Sequence, residues 1–272
     1  MGRFLVLAVS TFAVSTFAVS TLAVGPPASA APAALPPTTG GFDYQLGGAS
    51  DAQGLAVVVR DSTAQPLAGA YNICYLNGFQ TQPGSDWSGG LGSALLRDES
   101  NTPVTDADWP DEYILDPSTR AQRATILAAL TPDLNRCADN GFDAIEIDNL
   151  DTFTRFPAIE EAGALDLARS YIALAHGRGL AIGQKNAAEL AGIGRGQLGF
   201  DFAVTEECAA YDECGAYTGP YGPHVLQIEY IDNLPAPFAA VCAAPDRAPL
   251  TILRDRDLTP PGAAGHVYQQ CS

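Results

Sequence analysis

Cationic side chains are scarce in this sequence. Its 272 residues hold 14 Lys plus Arg against 31 Asp plus Glu, and a single lysine, Lys185, stands among them. The formal net charge of -17 leaves no basic surface to neutralise a run of phosphates, which argues against nucleic acid as a partner. An anionic membrane surface is disfavoured on the same ground. Histidine is also rare: His176, His224 and His266 are scattered, and no cysteine pair has C-x-x-C spacing. A structural zinc centre is therefore not supported. The pattern GxxxxGK[ST] is absent, and the glycines of GIGRG at 192–196 read as a turn. No GxSxG elbow or HExxH helix occurs, and the acids from Asp106 lack the glycine and final glutamate of an EF-hand. Carboxylates are what remains for chemistry, and no metal or organic cofactor is expected.

The composition is otherwise that of a globular protein, 47% hydrophobic. Met1-Gly2-Arg3 starts the chain, an apolar stretch with a tandem AVSTF repeat runs from Phe4 to Val24, and Ala28-Ser29-Ala30 follows a Gly-Pro-Pro break. A basic start, an apolar core and a small-x-small site make a secretory signal peptide over residues 1–30. Residues 31–41 read as a flexible or polyproline lead-in, and residues 42–272 as the functional domain. A secreted protein without a membrane anchor after cleavage is expected, as a monomer. Six cysteines, at 74, 137, 208, 214, 242 and 271, suit an oxidising compartment. Six allow fifteen connectivities. Pairing in sequence order gives Cys74–Cys137, Cys208–Cys214 and Cys242–Cys271.

Eight short runs have strand character: FDYQL from Phe42, LAVVVRD from Leu55, YNICYLN from Tyr71, FDAIEID from Phe142, LAIGQKN from Leu180, FDFAVTEE from Phe200, HVLQIEY from His224 and LTILRD from Leu250. Near-continuous apolar runs suit strands covered on both faces, as in parallel sheets. A helix capped at Ser118 or Thr119 carries Ile126, Leu130, Leu134 and Cys137 on one face, stops at Asn140-Gly141, and is expected to kink or break at Pro132. Leu165, Ala168, Ile172 and Ala175 mark a second helix. Shorter helices are expected after Asn186, Cys208 and Pro237. The spacing predicts a single α/β domain, a (β/α)8 TIM-type barrel with a long irregular insertion between the third and fourth strands. A doubly wound open sheet is the alternative.

In a barrel the chemistry gathers where strands finish, and most of these finish in polar residues. Asp43 and Tyr44 belong to the first strand, Tyr75 to the third, and Glu146, Asp148, Asn149 and Asp151 to the fourth. Lys185 and Asn186 end the fifth, Glu206 the sixth, Glu229 and Tyr230 the seventh. Strand alternation places Ala144, Glu146 and Asp148 on one face, and Phe202, Val204 and Glu206 on one face, with Glu207 pointing away. Carboxylates on a buried face require cationic or hydrogen-bonding partners, and Lys185 on the neighbouring strand is the evident one. Asp148 and Glu206 are thus the candidate catalytic pair, in the manner of glycoside hydrolysis. The other ten residues named are candidate substrate contacts.

The segments FDYQLGG, YNICYLNGFQTQP, DWPDEYILD, GFDAIEIDNLD, GQKNA, FDFAVTEEC, LQIEY and LRDRDL resemble family 114 of the glycoside hydrolases, from about Gly41 onward. That family consists of secreted endo-α-1,4-polygalactosaminidases with a (β/α)8 barrel. The resemblance implies the same catalytic pair, Asp148 and Glu206. One departure is Ile147, where the family often has proline or phenylalanine. It further implies a cationic amino-sugar polysaccharide as substrate. A retaining mechanism is expected, with Asp148 as nucleophile, kept ionised by Lys185, and Glu206 as acid/base with a raised pKa. Ammonium groups of the substrate are expected to meet Glu146, Asp151 and Glu229. The rival readings are a glycosidase of this fold on a neutral α-galactoside, and a non-catalytic polysaccharide-binding barrel.

Overall fold

The computed structural model describes residues 1–2 and 33–272. The signal segment beyond its first two residues, and the opening of the lead-in, lie outside them. All eight expected strands form: β1 (Gly41–Gln45), β2 (Leu55–Asp61), β3 (Tyr71–Asn77), β4 (Ala144–Asp148), β5 (Ala181–Lys185), β6 (Phe202–Glu206), β7 (Val225–Tyr230) and β8 (Leu250–Arg254). They pair in parallel, each with the next in sequence, as one curled sheet. Alternate residues of each strand fill the interior: Phe42, Tyr44, Val57, Val59, Ile73, Ala144, Ala181, Phe202, Val204, Leu226, Ile228, Leu250 and Ile252 form one buried cluster. Glycine is required at position 183, because a Cβ there would come within 2.5 Å of the Phe202 ring.

A second apolar layer lies outside the strands. α1 (Arg120–Asn140) and α3 (Glu161–Gly177) set Ile126, Leu130, Leu134, Leu167, Ala168, Tyr171 and Ile172 against Ile145, Ile147 and Ile182. Thr119 and Gln122 close a capping box at the start of α1, and Gly141 ends it in the left-handed region at φ 89°, an arrangement worth about 1 kcal/mol at the N-cap. Of the kink or break expected at Pro132, the break does not occur: α1 runs through it. The carbonyl left without its helical partner is that of Ala128, on the exposed face, where water can bond it. On α3 the buried stripe is centred on Ala164, Leu167, Ala168, Tyr171, Ile172 and Ala175.

The helices are unevenly spread. α2 (Thr152–Arg155) precedes α3 after β4; α4 (Ala191–Ile193), α5 (Cys214–Tyr221) and α6 (Phe238–Ala243) follow β5, β6 and β7. No helix follows β1 or β2. The letters GRGQLG at 194–199 spell GxGxxG, yet Gly194–Leu198 is a π-helical turn leading into β6, not the strand-to-helix turn of a dinucleotide site. The insertion after β3 is irregular as expected, held by isolated antiparallel bridges such as Gln80↔Ile114 and Thr105↔Tyr113.

A ninth strand, β9 (Tyr268–Gln270), was not legible. It pairs antiparallel with β8 and lies at the seam with β1. There side chains stand in for a backbone ladder: Gln270 Oε1 accepts from Phe42 N at 3.1 Å, Gln270 Nε2 donates to Gly40 O at 2.8 Å, and Tyr268 OH donates to Phe42 O at 2.9 Å. The three disulfides are Cys74–Cys137, Cys208–Cys214 and Cys242–Cys271, with Cα separations of 6.1, 4.8 and 5.3 Å. Cys271, next to β9, thereby ties the seam to α6. From the lead-in, Ala34 O accepts from Tyr71 OH at 2.6 Å, and Pro36 O lies 3.2 Å from His224 Nδ1.

Candidate active site

A cavity of about 750 Å³ opens at the C-terminal ends of the strands, lined among others by Tyr44, Tyr75, Trp109, Glu112, Lys185, Glu206 and Tyr230. Lys185 is its centre of charge. Only 3% of its side chain is exposed, and its ammonium lies 2.8 Å from Glu206 Oε2, 3.4 Å from Asp148 Oδ2 and 3.7 Å from Glu146 Oε1. The Tyr44 ring centroid is 5.7 Å away. Burial disfavours the ammonium, but the neighbouring acids, Asp148 and Glu206 foremost, outweigh it and hold Lys185 well above its ordinary pKa. Lys185 is a cation at every working pH.

Each carboxyl is held differently. Asp148 accepts from Tyr75 OH at 2.8 Å and from Asn149 N at 2.8 Å. Glu206 accepts from Tyr230 OH and, at 3.3 Å, from Asn186 Nδ2, while its backbone N–H donates to Asn186 Oδ1 at 2.8 Å. Burial pushes Glu206 up, yet the Lys185 charge and the bonds from Lys185, Tyr230 and Asn186 prevail, and its carboxyl sits below its ordinary value. The expectation of a raised Glu206 is thereby corrected for the free protein: the neighbouring ammonium decides, not the neighbouring acid. Glu146 is fully buried and accepts from Tyr44 OH at 2.7 Å; its other oxygen has no partner. Burial and Asp148 raise it to about 8 against the pull of Lys185. Near neutrality Glu146 is a protonated acid beneath the mouth, not an anion in it.

The phenols complete the set. Burial, with Asp148 beside Tyr75 and Glu206 beside Tyr230, pushes both well above the usual range, so they remain hydrogen-bond donors. Arg256 lies 4.5 Å over the Tyr230 ring and pairs with Glu207 at 2.6 Å and Asp232 at 2.7 Å. Glu207 is thus turned from Glu206, as parity predicts.

Backbone geometry turns the strand ends sharply. Asn149 (φ 65°), Asn186 (φ 48°), Ala187 (φ 60°) and Glu207 (φ 61°) follow Asp148, Lys185 and Glu206 in the left-handed region. Asparagine adopts it readily; alanine and glutamate do so at a cost of order 1–3 kcal/mol. Such a turn directly after a functional side chain fixes it at the lip.

Of the twelve candidate residues, Asp148, Glu206, Lys185, Tyr44, Tyr75, Tyr230, Glu146, Asn149 and Asn186 come together. Asn149 Nδ2 donates to Asn77 Oδ1 at 3.1 Å, and its Oδ1 accepts from Gln80 at 3.2 Å and Arg155 at 2.9 Å. Three residues lie elsewhere. Asp43 pairs with buried Arg254 at the seam. Asp151 precedes α2 and pairs with Arg155 at 3.5 Å. Glu229 is buried on the outer face of β7, accepting from Ala209 N at 3.0 Å and Gln227 Nε2 at 2.8 Å beside the Cys208–Cys214 disulfide. Asp151 and Glu229, with protonated Glu146, are therefore not the subsite anions expected. Sequence reasoning missed Glu112, which enters from the insertion, 8% exposed, and accepts from Asn77 Nδ2 at 2.7 Å. Its only signal is the segment DWPDEYILD, an acid leading into an apolar run.

Two carboxylates sharing one ammonium, with phenols and amides around them, can divide nucleophilic and proton-transfer work without further groups. Comparison with known proteins agrees with that chemistry. No curated protein matches the sequence. Among solved structures, the chain is similar to Aspergillus fumigatus Ega3 in complex with galactosamine (19% identity, 93% of this chain and 100% of that one, TM-score 0.64). It is also similar to the glycoside hydrolase domain of PelA from Pseudomonas aeruginosa (15% identity, 82% and 97%, TM-score 0.57). At these identities the likeness is one of fold. The model of glycoside-hydrolase family GH114 matches residues 24–272, and the chain belongs to that family.

Proposed function

We propose that this glycoside hydrolase is a secreted, monomeric endo-enzyme that cleaves α-1,4-linked galactosamine-rich polysaccharide, with Asp148 as nucleophile and Glu206 as general acid/base. The observation that carries the reading is the single buried ammonium of Lys185 in contact with carboxylates from both β4 and β6. One ammonium at 2.8 and 3.4 Å from the two carboxylates places them on either side of a single cation, and retention by direct attack of Asp148 is the mechanism proposed for that pair.

Glu206 is held ionised in the free protein, so its role as acid requires a change when substrate arrives. A sugar entering the cleft desolvates Glu206, and its glycosidic oxygen, an acceptor, can be bonded only by the protonated acid, while the ammonium keeps Asp148 as its other partner. As Lys185 shifts toward Asp148, Glu206 loses its main stabilising charge and takes a proton from solvent, while Asp148 gains the counter-ion a nucleophile needs. Tyr75 and Tyr230 keep both carboxyls oriented through the exchange.

The galactosamine assignment draws support from the acidic cleft and from the galactosamine carried by the similar Ega3 structure. Export draws support from the composition of residues 1–30 and from three disulfides. Release of reducing ends from purified α-1,4-galactosaminan tests the whole reading. Wild type should be active; Asp148→Asn and Glu206→Gln should each lose about 10²–10⁴-fold or more while still folding, as read by circular dichroism; Glu207→Gln should stay active. Equal rates on neutral α-galactan would move the assignment to the neutral substrate. Full activity in both variants of the pair would refute it.

A further inference from the structure

The insertion between β3 and α1 enters the cleft through one turn, Trp109-Pro110-Asp111-Glu112. Glu112 N donates to Trp109 O at 2.9 Å, and proline in the second position suits the turn. Buried Asp106 fixes it from behind: its Oδ1 accepts from Asp108 N at 2.9 Å, and its Oδ2 accepts from Gln80 at 2.8 Å and Arg155 at 2.6 Å. Asp106 N also donates to Glu112 O at 3.0 Å. The two ends of this rigid turn differ. Trp109 is 59% exposed and Glu112 only 8%, yet both line the cavity that holds Lys185 and Glu206.

Glu112 is an acid without a cation. Its Oε2 accepts from Asn77; among the described residues nothing bonds its Oε1 and no basic side chain pairs with it. The groups that face it are Asp148 from β4, Asn77 and Tyr75 from β3, and Asp106 and Asp111 from its own loop. Burial first, then Asp148, raise its carboxyl to about 7, with Asn77 opposing. A buried carboxyl with a free oxygen, one turn from an exposed indole face, complements a ring that is apolar on one side and cationic at its edge.

We infer that Trp109 and Glu112 form a subsite for one amino sugar, the indole stacking on the ring while Glu112 pairs with its ammonium. This deepens the galactosamine reading and rests on it. It also moves the recognition of charge from Glu146, Asp151 and Glu229 to a residue that reaches the cleft.

Kinetics on fully de-N-acetylated α-1,4-galactosamine oligomers, on either side of pH about 7, test it for wild type, Glu112→Gln and Trp109→Ala. Loss of one charge-assisted contact should raise KM about tenfold in Glu112→Gln, with kcat changed less than about twofold. Wild-type KM should fall as pH rises through the carboxyl's range, and Glu112→Gln should lack that dependence. Trp109→Ala should raise KM at every pH. An unchanged KM in Glu112→Gln overturns the inference and leaves the substrate reading standing; so does a collapse of kcat at constant KM, which would make Glu112 a proton-transfer group. A wild-type enzyme inactive on these oligomers sinks the substrate reading itself. Should Glu112→Gln fail to fold, a wild-type KM flat across pH refutes the pairing.

Discussion

Lys185 is registered with Val204, one pleat below Glu206 on the same face of the barrel, yet its ammonium reaches Glu206 Oε2 at 2.8 Å. The lysine thus rises from the layer beneath the carboxyl it serves. On its other side Glu146 is registered with Gly183, a pleat lower still. Three layers of the interior converge on one charge.

Removing that charge should be costly. Lys185→Met leaves Asp148 and Glu206 facing each other without a counter-ion, a loss of about 3–5 kcal/mol by the usual penalty for breaking a buried pair. Glu206, held below its ordinary value, contributes stability that is present above that value and lost as pH falls through its folded pKa. The variant never has this contribution. Thermal melts should therefore differ most near neutral pH and converge in acid.

Glu146 has the opposite sign. Its folded pKa of about 8 exceeds its unfolded value, so the folded state binds the proton more tightly and wild-type stability declines as pH rises from 4.5 toward 8. Glu146→Gln mimics the protonated form and keeps the Tyr44 hydrogen bond. It should flatten that decline by an amount on the order of a few kcal/mol. Denaturant unfolding at several pH values measures it, and parallel wild-type and variant curves would contradict the assignment.

Anomeric outcome is a separate test of the carboxyl spacing. Proton NMR of the first minutes of hydrolysis should show the α-anomer of the new reducing end before mutarotation. An initial β-product would mean that a water fits between Asp148 and Glu206.

The disulfides should rank by the loops they close. Chain-entropy arguments give about 4 kcal/mol for Cys74–Cys137 and about 2 kcal/mol for Cys208–Cys214, whose separations are 63 and 6 residues. Paired Cys→Ala variants compared by denaturant unfolding should follow that order. The Cys208–Cys214 variant should lose turnover out of proportion to its stability, because that bridge braces the turn after Glu206.

Much of this was legible because buried strands advertise themselves. A run such as FDAIEID is apolar on both faces except where chemistry interrupts it, so Glu146 and Asp148 stood out, and parity separated Glu206 from Glu207. The same double burial concealed Glu229. In LQIEY both faces are covered, and Tyr230 and Glu229 cannot both face inward; only the packing of Ile228 and Tyr230 with the interior decides which does. Asp43 and Tyr44 pose the same ambiguity. Glu112 was hidden for another reason: the insertion has no helical or strand period, so nothing local says where its side chains end. The short β9 carries three residues and no apolar alternation. Pro132 argued for a kink or a break, and packing with an exposed carbonyl kept the helix continuous.

The side-chain seam bears on the order of events during synthesis. Tyr268, Gln270 and Cys271 fasten β1 to the far edge of the sheet, so the first strand made waits for the last before the cylinder can shut. A chain lacking its last few residues has all eight parallel strands but not the side chains that fasten the two edges of their sheet together.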